Sequence, residues 1–70
     1  MIEKFDTVVG TTSGVSGNGT FVKLENGITG WMSAIFLPVG TDVMCSVTRV
    51  KADENFVFLN LDSVMYPQAA

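Results

Sequence analysis

An all-β fold, a small Greek-key barrel of five strands, is what this sequence predicts, and three observations carry the prediction. Five short runs alternate apolar and polar residues with period two. Glycine-bearing turns separate most of them: Ser16-Gly17-Asn18-Gly19, Asn26-Gly27 and Val39-Gly40-Thr41-Asp42. One short apolar segment, Ser33-Ala34-Ile35-Phe36-Leu37, lacks strand alternation and sits between the third and fourth runs. A plug at that place favours the OB-type barrel over an SH3-like one.

Residues 1–6 form a mixed lead-in to the first strand, Thr7 to Val15, which is rich in β-branched residues and interrupted by Gly10 and Gly14. Glycines inside a strand mark bulges, bends or close backbone approach, and a long coiled first strand can then serve two sheets. The turn at Ser16–Gly19 is expected to use glycine and asparagine in left-handed conformations. The hairpin Thr20–Met32 follows, with Asn26-Gly27 as a two-residue type I′ turn. Alternation puts Val22, Leu24, Ile28 and Met32 on a core face, and Phe21, Lys23, Thr29 and Trp31 on the other.

Ser33 is expected to cap a single helical turn that Pro38 stops and that plugs the open barrel end. Strand four runs from Asp42 to Val50, with Val43, Cys45 and Val47 inward; the broken parity at Val50 predicts a bulge near Thr48-Arg49. Lys51 to Asn55 is a charged hairpin loop. In the last strand, Phe56 to Leu61, Val57, Leu59 and Leu61 point one way, Phe58 and Asn60 the other. Asp62 onward reads as a loose tail, with Tyr66-Pro67 folding back. The expected organisation is one domain over residues 1–63 and a C-terminal tail over 64–70.

Seventy residues, 47% of them hydrophobic, describe one folded domain near the lower size limit for an unstapled core. No apolar run is long enough for a bilayer-spanning helix, and the first residues lack a signal-peptide layout, so the cytoplasm is the expected compartment and no membrane association is expected. Cys45, the one cysteine, falls in the alternating run of strand four and reads as a small core residue. With no histidine there is no common zinc site or Cys–His nucleophile, and no carboxylate pair shares a strand face, so neither a cofactor nor a catalytic activity is expected. The net charge of −3 weighs against strong sequence-blind binding to a phosphate backbone.

The chain resembles the S1 RNA-binding domain, a branch of the OB-fold, over residues 4–63. The glycine and apolar skeleton of that family is matched by Gly10, Val15, Gly19, Phe21, Val22 and Leu24, then Gly27 and Gly30. Val39-Gly40-Thr41-Asp42-Val43 and the closing Val57-Phe58-Leu59-Asn60-Leu61 match as well. The resemblance implies a five-stranded antiparallel Greek-key OB barrel with a short helical turn between strands three and four. It also implies single-stranded RNA binding on the face of strands two and three and the flanking loops, where rings stack on bases and cations meet phosphates. Of the family's contact positions, Phe21 is retained. Asn18 stands in place of a phenylalanine, Ser33 of a histidine and Lys51 of an aspartate, and Phe56 lies nearest the position of an arginine. Trp31 occupies a usually aliphatic position on the parity of Phe21 and Ser33.

The candidate nucleic-acid-binding residues are therefore Asn18, Phe21, Lys23, Trp31, Ser33, Arg49, Lys51 and Asn55. Phe21 and Trp31 would stack bases, Lys23, Arg49 and Lys51 would meet phosphates, and Asn18, Ser33 and Asn55 would supply polar contacts. The expected partner is single-stranded RNA, or single-stranded DNA, bound weakly and salt-sensitively. Glu3, Asp6, Asp42 and Asp62 are expected to lie away from that face. The alternative is an S1-like barrel used for protein–protein contact or self-association, through the same aromatics or through Phe56 and Phe58.

Overall fold

The computed structural model describes residues 2–65. Five strands close into one barrel: β1 (Thr7–Ser16), β2 (Gly19–Lys23), β3 (Thr29–Ser33), β4 (Asp42–Lys51) and β5 (Phe56–Met65), in spatial order β1-β2-β3-β5-β4. All ladders are antiparallel except β3–β5, which is parallel and closes the barrel. This is the OB-type barrel that the strand pattern predicts. Among the described residues no helix is long and apolar enough to cross a membrane.

β1 does serve two neighbours. Thr7–Thr11 pairs with β4 and Thr11–Ser16 with β2, and the register shifts between Thr12 and Gly14, the bulge that lets one strand bend across both. At Gly10 a Cβ would lie 2.6 Å from the side chains of Leu24 and Val22 and 2.8 Å from the Lys23 carbonyl, so only glycine admits that close approach. Val43, Cys45 and Val47 are buried with Val22, Leu24, Met32, Val57 and Leu59 in one core. Ile28 is half-buried against it. The bulge expected near Thr48-Arg49 is present as a register shift between Val47 and Arg49.

Four local expectations are corrected. The β2–β3 hairpin does not turn on a two-residue Asn26-Gly27 loop. Its connection is the 3-10 turn Glu25–Gly27, closed by the Leu24 amide donating to the Ile28 carbonyl at 2.9 Å, with Gly27 at φ 75°. The left-handed conformations expected at Ser16–Gly19 occur instead at Gly27 and Gly40, and in Phe5, Ala34 and Asn55.

The helical turn expected over Ser33–Leu37 is absent: Ser33 ends β3, Ala34 takes φ 61°, and an irregular segment runs to Pro38. Its backbone groups find partners outside the segment. The buried Thr20 hydroxyl donates to the Ile35 carbonyl (2.5 Å) and accepts from the Leu37 amide (3.3 Å), and the buried Thr12 hydroxyl donates to the Pro38 carbonyl (2.6 Å). Ile35 and Leu37 still pack against the core.

β5 does not stop at Leu61 but continues to Met65, because Asp42, Val43 and Met44 of β4 pair with Met65, Val64 and Ser63. The expected boundary at residue 63 thus falls inside a strand. The fold-back of Tyr66-Pro67 lies outside the described residues.

Candidate functional site

Residues two apart on a strand share a face, and residues paired across strands continue that face sideways. Two such rows cross the outer surface. One runs Gly14–Phe21–Trp31–Phe58–Arg49 over β1, β2, β3, β5 and β4; the next runs Thr11–Lys23–Thr29–Phe56–Lys51 over the same strands. Each row carries aromatic carbon on β5 and a cation at its β4 end, and the first has rings on β2 and β3 as well. The inward neighbours of these residues, Val22, Met32, Val57 and Leu59, are buried. With strands about 4.8 Å apart, Phe21 to Arg49 spans about 14 Å.

Phe21 and Trp31 stand outside the barrel in contact, ring centroids 4.7 Å apart and planes tilted by 53°. Phe21 is 37% exposed. Phe58 takes the next place beside Trp31, with Phe56 edge-on to it at 5.3 Å and the Arg49 guanidinium 5.6 Å from its ring. Glycines keep this surface low. A Cβ at Gly19 would collide with the Met32 carbonyl and sit 2.9 Å from Trp31 Cζ2, so the indole leans across bare backbone. Opposite Phe21, Gly14 carries no side chain to overhang the ring.

Lys23 and Arg49 are exposed and Lys51 half-exposed, all on these rows. Ser33 lies two residues beyond Trp31 on β3, exposed and paired with Gly19. Asn18 is in the adjoining turn, where its carbonyl accepts from the Ala34 amide at 2.7 Å. Asn55 sits at the opposite end, left-handed at φ 51°, its carbonyl accepting from the Thr29 amide at 3.0 Å. Of the eight predicted residues, Phe21, Lys23, Trp31, Ser33, Arg49 and Lys51 project from the outer wall on β2, β3 and β4, whereas Asn18 and Asn55 sit in turns at opposite ends of β3. Beside Asn55 a cleft of about 190 Å³ is lined by Ile2, Ile28, Lys51 and Phe56.

Phe56 and Phe58 are the residues that strand-by-strand reading leaves off this face. Their alternation on β5 is legible, but their position beside Trp31 depends on the β3–β5 ladder, for which no local signal exists. One acid is also nearer than expected. Asp42 accepts from the Thr11 hydroxyl at 2.8 Å, and Thr11 pairs with Lys23. Asp62 accepts from Ser46 at 2.6 Å. Cys45 is fully buried, its Sγ 3.7 Å from Met32 Sδ; burial, and secondarily the Asp62 charge, pushes its thiol up to about 11.

No protein family matches the sequence, and no curated protein matches it either. Solved structures do share the fold. GSP13 from Bacillus subtilis superposes with a TM-score of 0.78 at 22% identity, over 87% of this chain and 56% of its own. In the a/eIF2alpha-aDim2p-rRNA complex from Pyrococcus horikoshii, one chain gives 0.78 at 23% identity, over 87% of this chain and 45% of its own. A protein from vaccinia virus gives 0.74 at 14% identity, over 93% of this chain and 94% of its own. Such neighbours include S1-domain proteins, and at these identities what the chain shares with them is the fold, an S1-like OB barrel.

Proposed function

We propose that this barrel binds single-stranded RNA, without catalysing a reaction, on the outer face of β2, β3 and β5 and the end of β4. The observation that carries the reading is two outward ring pairs, Phe21–Trp31 and Phe56–Phe58, set on neighbouring strands by the Trp31–Phe58 backbone pairing and followed by Arg49, on a surface kept low by Gly14 and Gly19. Every base offers a π-face to such rings, and each stacked base contributes about 1–3 kcal/mol. Arg49 and Lys51 meet phosphates on the β4 side of the rings and Lys23 on the β2 side. Asn18, Ser33 and Asn55 hydrogen-bond base edges or the ribose 2′-hydroxyl at the two ends. Three cations on a chain of net charge −3 make the binding weak and salt-sensitive. A fold neighbour in a complex that contains rRNA supports the class of ligand.

The test is a Trp31 fluorescence titration with short oligo(U) and oligo(A) at low and moderate salt. Quenching that saturates, and that weakens as salt rises, is the expected result. A flat titration combined with concentration-dependent sedimentation would replace this reading with protein contact or self-association, for which the same complex, holding aDim2p as well as rRNA, supplies the precedent.

A further inference from the structure

The turn Glu3–Asp6 carries the least expected residue in the chain. The Asp6 amide donates to the Glu3 carbonyl (3.1 Å), the Glu3 amide donates to Asp6 Oδ2 (2.9 Å), and Phe5 occupies the third position at φ 77°. A turn with that conformation favours glycine or asparagine there, because a Cβ is crowded in left-handed backbone. Nor does the ring compensate by packing: Phe5 is 80% exposed. A bulky side chain that strains its backbone while its ring stays mostly in solvent adds little to core packing, and strain of this kind gathers at binding sites.

The turn is also fixed in place. The Phe5 amide donates to the Val47 carbonyl at 2.7 Å, and the Val47 amide donates to the Asp6 carbonyl at 2.8 Å. Val47 begins the β4 bulge that ends at Arg49, the cationic end of the aromatic row. Ile2 lines the cleft that Lys51, Asn55 and Phe56 share. Residues 2–6 therefore run beside the second half of β4 and border the proposed RNA face just past Arg49 and Lys51. Lys4 holds its ammonium 5.1 Å from the Phe5 ring, placing a fourth cation next to a fifth ring at that border.

We propose that Phe5, with Lys4, is an additional stacking position that takes one nucleotide of a single strand leaving the central face past Arg49. This rests on the RNA-binding reading of that face and extends its footprint by one strand position. Lys4 over one side of the ring leaves the other for a base and meets the adjoining phosphate. Glu3 and Asp6 oppose that phosphate; Asp6 is already engaged by the Glu3 amide.

The experiment compares wild type with Phe5→Gly, and with Phe5→Asn as a second residue tolerant of left-handed backbone. The probes are oligo(U) of about four and about ten nucleotides, within the range an OB-fold covers, with Trp31 fluorescence as the central reporter. Both variants should keep or raise the thermal midpoint, since the turn conformation suits them better than phenylalanine. Affinity for the short oligomer should stay within about twofold, and affinity for the long one should fall about fivefold or more, the low end of one stacked base. If both variants bind the long oligomer as wild type does, the additional position is refuted while the central face stands. If wild type binds neither oligomer, the inference falls together with the reading it extends.

Discussion

Phe58→Leu separates the three-stranded platform from the two-stranded one that sequence alone suggests. Leucine keeps apolar contact with Trp31's strand but removes the ring that faces Arg49 at 5.6 Å and Phe56 at 5.3 Å. The lost edge-on pair is worth about 0.5–1.5 kcal/mol and the exposed cation–π contact about 0.5–1 kcal/mol. Stability should therefore fall by about 1–2 kcal/mol, a drop in Tm of about 5–15 °C for a domain this small, and the protein should remain folded at room temperature. Binding should fall further. Removing one stacking ring costs about 1–3 kcal/mol, a five- to 150-fold loss of oligo(U) affinity by Trp31 fluorescence. Phe36→Leu is the control, because Phe36 is 56% exposed on the β3–β4 connection and off both rows. A folded Phe58→Leu protein that binds within twofold of wild type would refute the platform and confine stacking to Phe21 and Trp31.

Three further outcomes test the rest of the structure. Thr20→Val keeps the shape of a fully buried side chain but leaves the Ile35 carbonyl and the Leu37 amide without their partner, so the urea midpoint should correspond to a loss of about 1–3 kcal/mol. Burial, and secondarily the Asp62 charge, pushes the Cys45 thiol up from 9.0 to about 11, so on raising the pH the unfolded chain should release this proton first. Stability should then decline between about pH 9 and 11 by about 2–3 kcal/mol relative to Cys45→Ala, as urea melts across that range will show. For three phosphate contacts on a single strand the slope of log K against log salt should be about −2, and Lys51→Ala should make it shallower by about 0.7.

What the sequence reveals and what it hides divide along a physical line. Val43, Cys45 and Val47 announce their burial by period two, and the lapse at Val50 locates the Val47–Arg49 bulge, since both signals are local. Gly10 and Gly14 announce the bend of β1 for the same reason. The hairpin loop shows a local rule overruled by a wider one. With Asn26-Gly27 as a two-residue turn, Val22 would pair with Trp31 and put a core valine and the indole on one face. The three-residue turn Glu25–Gly27 pairs Phe21 with Trp31 and Val22 with Gly30, which agrees with the apolar pattern of both strands. The helical turn expected after β3 fails because Ser33 and Pro38 signal helix ends and nothing more. Nothing local reveals that Thr12 and Thr20, far upstream, bind that segment's backbone in an irregular form.

Barrel closure also explains how an acidic chain brings Arg49 and Lys51 beside its rings. Following the paired residues once around the wall, from Asp42 through Thr11, Lys23, Thr29 and Phe56, returns to β4 at Lys51 and not at Asp42. That stagger, which closing so small a barrel requires, puts the two ends of one strand on different flanks of the molecule. Asp42 ends up at the β1 end of the second row, engaged by Thr11, while Arg49 and Lys51 end up at the other end, beside the rings on β5. At ordinary salt a charge acts over about 10 Å, so a bound strand senses the flank it touches far more than the sum over the chain. Glu25, Asp53 and Glu54 remain at the border of that flank, in the two 3-10 turns that follow Lys23 and Lys51. On the proposed function they would oppose the same phosphates that Lys23 and Lys51 would attract. On the proposed function, affinity on this face would therefore come from the rings, with the cations setting its salt dependence.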